Sequence, residues 1–422
     1  MKKTEIVAVR ARQILDSRGN PTLEAEVELG DGSIGRASVP SGASTGMNEA
    51  IELRDTESRS YHGKGVLSAV ENVNERICCA LVGVDSTEQG RVDSIMIALD
   101  GMCNKSNLGA NAILSASIAN ARAAASSLGI PFYRYLGGSM CHSLPVPMMN
   151  IVNGGAHASN NIDIQEFMIL PVGAESFAEG VRMCSEIYHT LKGILASRDM
   201  NTAVGDEGGF APMLDSDEEA IELILKAIDS SGYSAPNDVC IALDAAASEW
   251  WESGEYHLPK RGTHYSSDEL VKRFYTLASR YPIASIEDAM GECDLGGWRR
   301  LTEKFSDKGT MLVGDDLFVT DSARIKDGIC RKIANSVLIK PNQIGTLTET
   351  WEAISAARRG GYRVILSHRS ADTEDPAIAD MAVAFGADFI KSGAPCRAER
   401  TSKYNRLMQI ESELFDSSYS NT

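Results

Sequence analysis

A chain of 422 residues exceeds what one small core accommodates, so two domains are the first expectation. Hydrophobic residues make up 43% and charged residues 23%, the balance of a water-soluble globular enzyme. With 41 Lys plus Arg against 58 Asp plus Glu, the net charge of −17 repels polyanions, which argues against nucleic acid or an anionic membrane as partner.

The opening MKKTEIVAVRARQ has no apolar core of the kind a secretory leader needs, which predicts a cytoplasmic protein. Two β-like stretches, 6–10 and 23–29, flank the turn-rich Asp16-Ser17-Arg18-Gly19-Asn20-Pro21. Residues 22–29 alternate apolar and acidic side chains, the pattern of an antiparallel strand with one wet face. Asp31-Gly32 predicts a hairpin turn into a third strand at 34–39. The small-residue stretch Pro40-Ser41-Gly42-Ala43-Ser44-Thr45-Gly46 reads as a mobile loop whose hydroxyls are able to close over a bound metal. Helical patterns follow to about Tyr135. The Ala-rich stretch 110–131 is interrupted by Asn111, Asn120 and Arg122, so a packed helix is predicted and not a membrane span. Gly137-Gly138 and the prolines 145 and 147 mark a boundary, giving an α+β domain at 1–138 and a second domain at 139–422.

Beyond that boundary strands and helices alternate. Residues 217–230 carry Ile221, Ile224, Leu225 and Ile228 on one helical face behind a Ser216 cap. Short apolar runs then end repeatedly in residues of catalytic type: Asp244, Glu287, Asp315, Lys340, His368-Arg369 and Lys391. Their spacings of 43, 28, 25, 28 and 23 residues each fit a strand, a helix and two loops. Functional groups at the C-terminal ends of parallel strands are how a β/α barrel builds its site. Three acids on neighbouring strand ends suit octahedral Mg²⁺. Lys340, held extended by the following Pro341, is a candidate base whose pKa desolvation and nearby metal charge would lower. Glu207 lies in a glycine-rich bend, Gly205-Asp206-Glu207-Gly208-Gly209, and Glu166 in the apolar run 163–168. Two such acids at one mouth allow one to be protonated and act as general acid. Arg369, Ser370 and Lys391 offer a guanidinium fork, a hydroxyl and an ammonium to an anion.

Of the seven histidines, His157 and His368 stand out by context, and His62, His142, His189, His257 and His264 read as surface or core residues. The nine cysteines form no CxxC pair, which predicts reduced and mostly buried thiols. The tail 415–422 is polar and predicted to fray. No phosphate-binding P-loop, dinucleotide fingerprint, GxSxG elbow or HExxH pair is present, so nucleotide-driven, nicotinamide and serine-hydrolase chemistry are disfavoured.

The motifs DSRGNPT, PSGASTG, LGANAILSAS, PVPMMNIVNGG, NIDIQEFMI, NTAVGDEGGFAP, SIED, GDDLFVT, NQIGTLTET and KYNRL run co-linearly from residue 16 to 407. On them the chain resembles the enolase family along nearly its whole length. The resemblance implies an α+β lid domain, a modified β/α barrel with irregular first units, and reversible dehydration of 2-phosphoglycerate with two Mg²⁺ per site. It places Asp244, Glu287 and Asp315 as metal ligands, with Ser44 reaching the second ion from the lid. It makes Lys340 the base and Glu207 the acid, supported by Glu166. It puts His157, Gln165, His368, Arg369, Ser370 and Lys391 on the substrate, and it implies a homodimer or larger homo-oligomer. Cell-surface display, often attributed to such proteins, is not encoded in the chain. Three positions depart from the family pattern. Pro341 replaces an aromatic or aliphatic residue, and SHRSADTED carries Ala371 and Asp372 where SHRSGETED is usual. They leave open a related phosphorylated or phosphonylated 2-hydroxy acid as substrate.

Overall fold

The computed structural model describes residues 2–42, 46–415 and 417–419. Ser44 lies outside them. The chain opens with an antiparallel meander, β1 (Ile6–Leu15), β2 (Pro21–Leu29) and β3 (Ile34–Ser38). The alternation read from the sequence is real: Leu23, Ala25, Val27 and Leu29 are buried, while Glu24, Glu26 and Glu28 face the arginines of the flanking strands. The Ala-rich helix α1 (Ala110–Leu128) lies across this sheet and is buried on nearly every side. Small residues are required at that contact. A Cβ on Gly35 would stand 2.1 Å from the Ala119 carbonyl, so helix and strand meet backbone to backbone. No helix among the described residues is long and apolar enough to cross a membrane.

Eight strands then close a barrel: β4 (Val146–Asn153), β5 (Glu166–Leu170), β6 (Cys240–Asp244), β7 (Ile283–Glu287), β8 (Met311–Gly314), β9 (Ser336–Ile339), β10 (Arg363–Ser367) and β11 (Phe389–Lys391). Seven run parallel, but β5 is antiparallel to both of its neighbours. Its reversal brings the first residue of the strand, Glu166, to the rim where the other strands end, directly opposite Asp244 in the ladder. Asp244 pairs in register with Glu287, and Ser367 with Lys391, so register alone gathers four charged groups at one mouth. Apolar side chains, among them Met148, Met168, Val313, Leu338 and Phe389, form a packed core of their own within the barrel.

The longest of the strand-end spacings, from Asp244 to Glu287, contains a small antiparallel sheet (Trp251–Glu252, Glu255–Leu258, Thr263–Tyr265) ahead of its helix. Helix α2 (Asp217–Ser230) is capped by Ser216, which accepts from the Glu219 amide at 3.0 Å. Its buried face uses Leu223, and Leu225 is only half-buried. The two parts of the chain are joined by buried polar contacts. Arg122 donates twice to Asp375 at 2.6 Å, and Lys105 to Glu349 at 2.8 Å.

Two expectations are corrected. All nine cysteines are free, but Cys184 alone is buried, whereas Cys79, Cys103, Cys293 and Cys330 are exposed because they fall on turns and on the outer faces of helices. The tail does not simply fray, since Ser418–Tyr419 pairs with Ser143–Leu144 and the Ser418 amide donates to the His142 carbonyl at 3.1 Å.

Candidate active site

Eleven of the predicted site residues line a single cavity at the barrel mouth: His157, Gln165, Glu166, Glu207, Asp244, Asp315, Lys340, His368, Arg369, Ser370 and Lys391. Glu287 stands directly behind Lys391. The Lys391 ammonium is 2.8 Å from Glu287, 3.0 Å from Asp244 and 3.2 Å from Glu166. All four groups are almost fully buried. Burial favours a neutral lysine, but Asp244, Glu166 and Glu287 outweigh it and hold Lys391 well above the usual lysine range.

On the next strands, Lys340 pairs with Asp315, which also accepts from Gln343 Nε2 at 2.9 Å. Lys340 has the extended backbone expected before proline. Its pKa is set by two opposed effects. Burial lowers it, but the Asp315 carboxylate more than offsets that and the amine is held up. The same contact holds Asp315 down against its own burial. The cause is geometric and invisible in the sequence: the carboxylate of one strand end turns onto the amine of the next.

Across the mouth lie Glu166 and Glu207. His157 Nδ1 stands 3.4 Å from Glu166 and 3.8 Å from Glu207, and His368 Nε2 is 3.5 Å from Glu207. Asn150 donates to Glu207 at 3.1 Å. Burial and the charge of Glu207 push Glu166 well above the carboxylate range. Burial pushes Glu207 up as well, but His368, His157 and Arg400 outweigh it and bring it well below. The two neighbouring carboxylates are thus pushed in opposite directions, Glu166 up and Glu207 down. Burial also lowers both histidines, His368 to about 4, which leaves His368 neutral near pH 7. The glycines of the acid loop have a steric role. Gly208 has φ +87°, and a Cβ on Gly209 would stand 2.2 Å from Asn153 Oδ1.

On the side of Gly42 and Glu49, Arg369 donates to Glu49 at 2.8 Å and lies against Gly42, where a Cβ would come within 1.8 Å of its guanidinium. Ser370 is buried beside it. The residues missed in the sequence are Glu49, Asn150, Asp288 and Asp316. Asp288 and Asp316 each follow an acid that had been singled out, in Glu287-Asp288 and Asp315-Asp316, and the second acid of each pair was the available signal. Asp288 accepts from the amides of Asp315 and Asp316 at 3.0 and 2.9 Å, and Asp316 is raised to about 7 by burial and by Asp315.

Among the described residues, two groups place metal-ligand atoms within 4.8 Å of one another: Asp288-Asp315-Asp316 and His157-Glu166-Glu207. Hard carboxylate oxygens predominate, and the ammoniums of Lys391 and Lys340 lie on Asp244, Glu287 and Asp315. The rim thus gathers carboxylates able to hold a cation, and oxygen donors of this kind suit Mg²⁺ better than a thiophilic metal.

Two family profiles match the sequence: the enolase N-terminal domain over residues 6–136, and the enolase C-terminal TIM-barrel domain over residues 141–421. The chain belongs to the enolase family. The expectations of a modified barrel and of an additional N-terminal α+β domain are borne out by this match and by the closed eight-stranded barrel. Membership in the enolase family makes lyase chemistry the class of activity, and an acidic rim able to hold a divalent cation belongs with it.

Proposed function

We propose that this protein interconverts 2-phosphoglycerate and phosphoenolpyruvate plus water. The observation that carries the reading is that Lys340 and the Glu166–Glu207 pair line one cavity, with Arg369, Ser370 and Lys391 beside them. On this reading residues 1–138 serve as the lid and 139–422 as the catalytic barrel.

The proton to be removed lies α to a carboxylate and is very weakly acidic, so the base needs help from charge placed where the product anion forms. Lys340 takes the C2 proton. The electrons of that C–H bond become the C2–C3 double bond, and the C3 hydroxyl leaves as water with a proton from Glu207. Glu166, His157 and His368 surround Glu207 and set where that proton rests until it is needed. Lys340 is charged in the resting chain, so its service as base requires Asp315 to be drawn off it. Arg369 is placed for the phosphate with its planar fork, and Lys391 for the carboxylate. Asp244, Glu287 and Asp315 are the residues we assign to Mg²⁺, with Asp288 and Asp316 behind Asp315. When bound, the ion would offset the negative charge accumulating on the substrate carboxylate.

Pro341, Ala371 and Asp372 bear on the alternative substrate. None of them lines the cavity. Ala371 exchanges backbone hydrogen bonds with Ser41, and Asp372 faces Lys403 at 3.3 Å. Their positions favour 2-phosphoglycerate over an altered acid. Spectrophotometric turnover of 2-phosphoglycerate with Mg²⁺, abolished by EDTA, is the expected result. No enol absorbance from pure, metal-loaded protein would end the assignment.

A further inference from the structure

Arg400 lies in the first turn of the last helix and is completely buried, with its Nε 3.5 Å from Glu399 and its Nη1 4.0 Å from Asp372. Its guanidinium donates to four groups. Nη1 reaches His368 Nδ1 and the Arg369 carbonyl, both at 2.6 Å, while Nη2 reaches the Ser370 carbonyl at 2.5 Å and the Asp206 carbonyl at 3.0 Å. One side chain thus ties the acid loop, through Asp206, to the end of β10, through residues 368–370. Guanidinium has donors only, so the ring nitrogen facing it must present a lone pair. The proton of a neutral His368 is then forced onto Nε2, which lies 3.5 Å from Glu207 Oε1 and has no closer protein partner among the described residues.

We infer that Arg400 is a positioning residue for the reaction: by holding His368 in the Nε2–H tautomer, it aims a hydrogen-bond donor at Glu207 and the adjoining cavity. The inference rests on the reading of the acid side given above. The chemistry is that of any histidine whose working nitrogen is set by what the other nitrogen meets. Without the guanidinium, Nδ1–H becomes available to the ring. Nε2 would then face Glu207 as a second acceptor, and the proton-delivering group would lose its orientation.

The test uses full-length protein with ¹⁵N-labelled histidine. The His368 resonances are assigned by their loss in His368→Gln, and long-range ¹H–¹⁵N correlation reads the tautomer directly. Wild type is expected to show Nε2–H. Arg400→Met is expected to show Nδ1–H or a mixture, with kcat down on the order of 10²–10⁴-fold and KM little changed. Arg400→Lys, which keeps a donor, is expected to retain the wild-type pattern and most of the turnover. Nδ1–H in the wild type would overturn the inference. So would an Arg400→Met protein that loses turnover while its His368 signals stay unchanged, because that pattern belongs to a merely structural arginine. If Arg400→Met does not fold, the other two spectra decide: Nδ1–H in either sinks the idea, and Nε2–H in both upholds it. Absent turnover in the wild type would count against the activity and leave the tautomer measurement intact.

Discussion

Lys391 Nζ and Glu287 Oε2 meet at 2.8 Å at the floor of the cavity, with Asp244 and Glu166 completing the ammonium's surroundings. Removing one partner from such a buried cluster leaves uncompensated charge, which costs about 3–5 kcal/mol. Lys391→Met should therefore be destabilised by that order in EDTA, and added Mg²⁺ should recover part of the loss. Denaturant titrations under the two conditions check this. An equal loss in both would show that the carboxylates do not draw in the ion.

Lys340→Ala tests the base. Turnover should fall by roughly 10²–10⁴-fold or more, with substrate affinity nearly retained. Exchange of the C2 proton with deuterated solvent should stop in this variant. In Glu207→Gln, exchange should continue while dehydration is lost. Exchange persisting in Lys340→Ala would move the base elsewhere.

His368 provides a pH prediction. Its folded pKa is depressed to about 4 from 6.5, so between those values the unfolded chain binds more protons than the folded one. Stability contributed by the neutral ring is complete above about pH 6.5 and is lost as pH falls toward 4. The contribution is roughly 3 kcal/mol. Unfolding free energies measured across that window should fall with acid, and His368→Gln should flatten the slope. An unchanged slope in the variant would assign the acid sensitivity to other groups.

Gly35→Ala probes the packing of helix α1 on the N-terminal sheet. Its Cβ would meet Ala119 O at 2.1 Å and Ala123 N at 2.2 Å, both backbone atoms that cannot swing aside. Overpacking of this kind costs about 1–3 kcal/mol, and the rigid neighbours place this case at the upper end. A melting temperature within a degree of wild type would show that sheet and helix slide apart freely.

The strand ends were legible because burial on both faces writes each barrel strand as an apolar run, and the first polar residue after it marks the rim. Asp244, Glu287, Asp315, Lys340, His368 and Lys391 all emerge that way, and all reach the same mouth. What stayed hidden depends on distance through space. Glu49 meets Arg369 across 320 positions of chain. Asn150, in the fully buried β4, carries no mark distinguishing a hydrogen-bond donor from a packed amide. The held-up Lys340 amine depends on which way Asp315 turns, and local pattern does not report that. The reversal of β5 is equally silent, because an apolar pentapeptide reads the same in either direction.

That reversed strand has a further consequence. On β6, β7 and β11 the working residue is the last of its strand, and on β8, β9 and β10 it is the first residue beyond, so the loop that follows shapes its surroundings. Glu166 is reached from the opposite direction, so the segment that arrives at it, 154–165, also delivers His157 and Gln165. On the roles proposed above, the acid side (the 154–166 segment with the 205–209 loop) and the amine of Lys340 at the end of β9 come from separate stretches of chain, which leaves the acid side open to loop exchange while the amine keeps its seat.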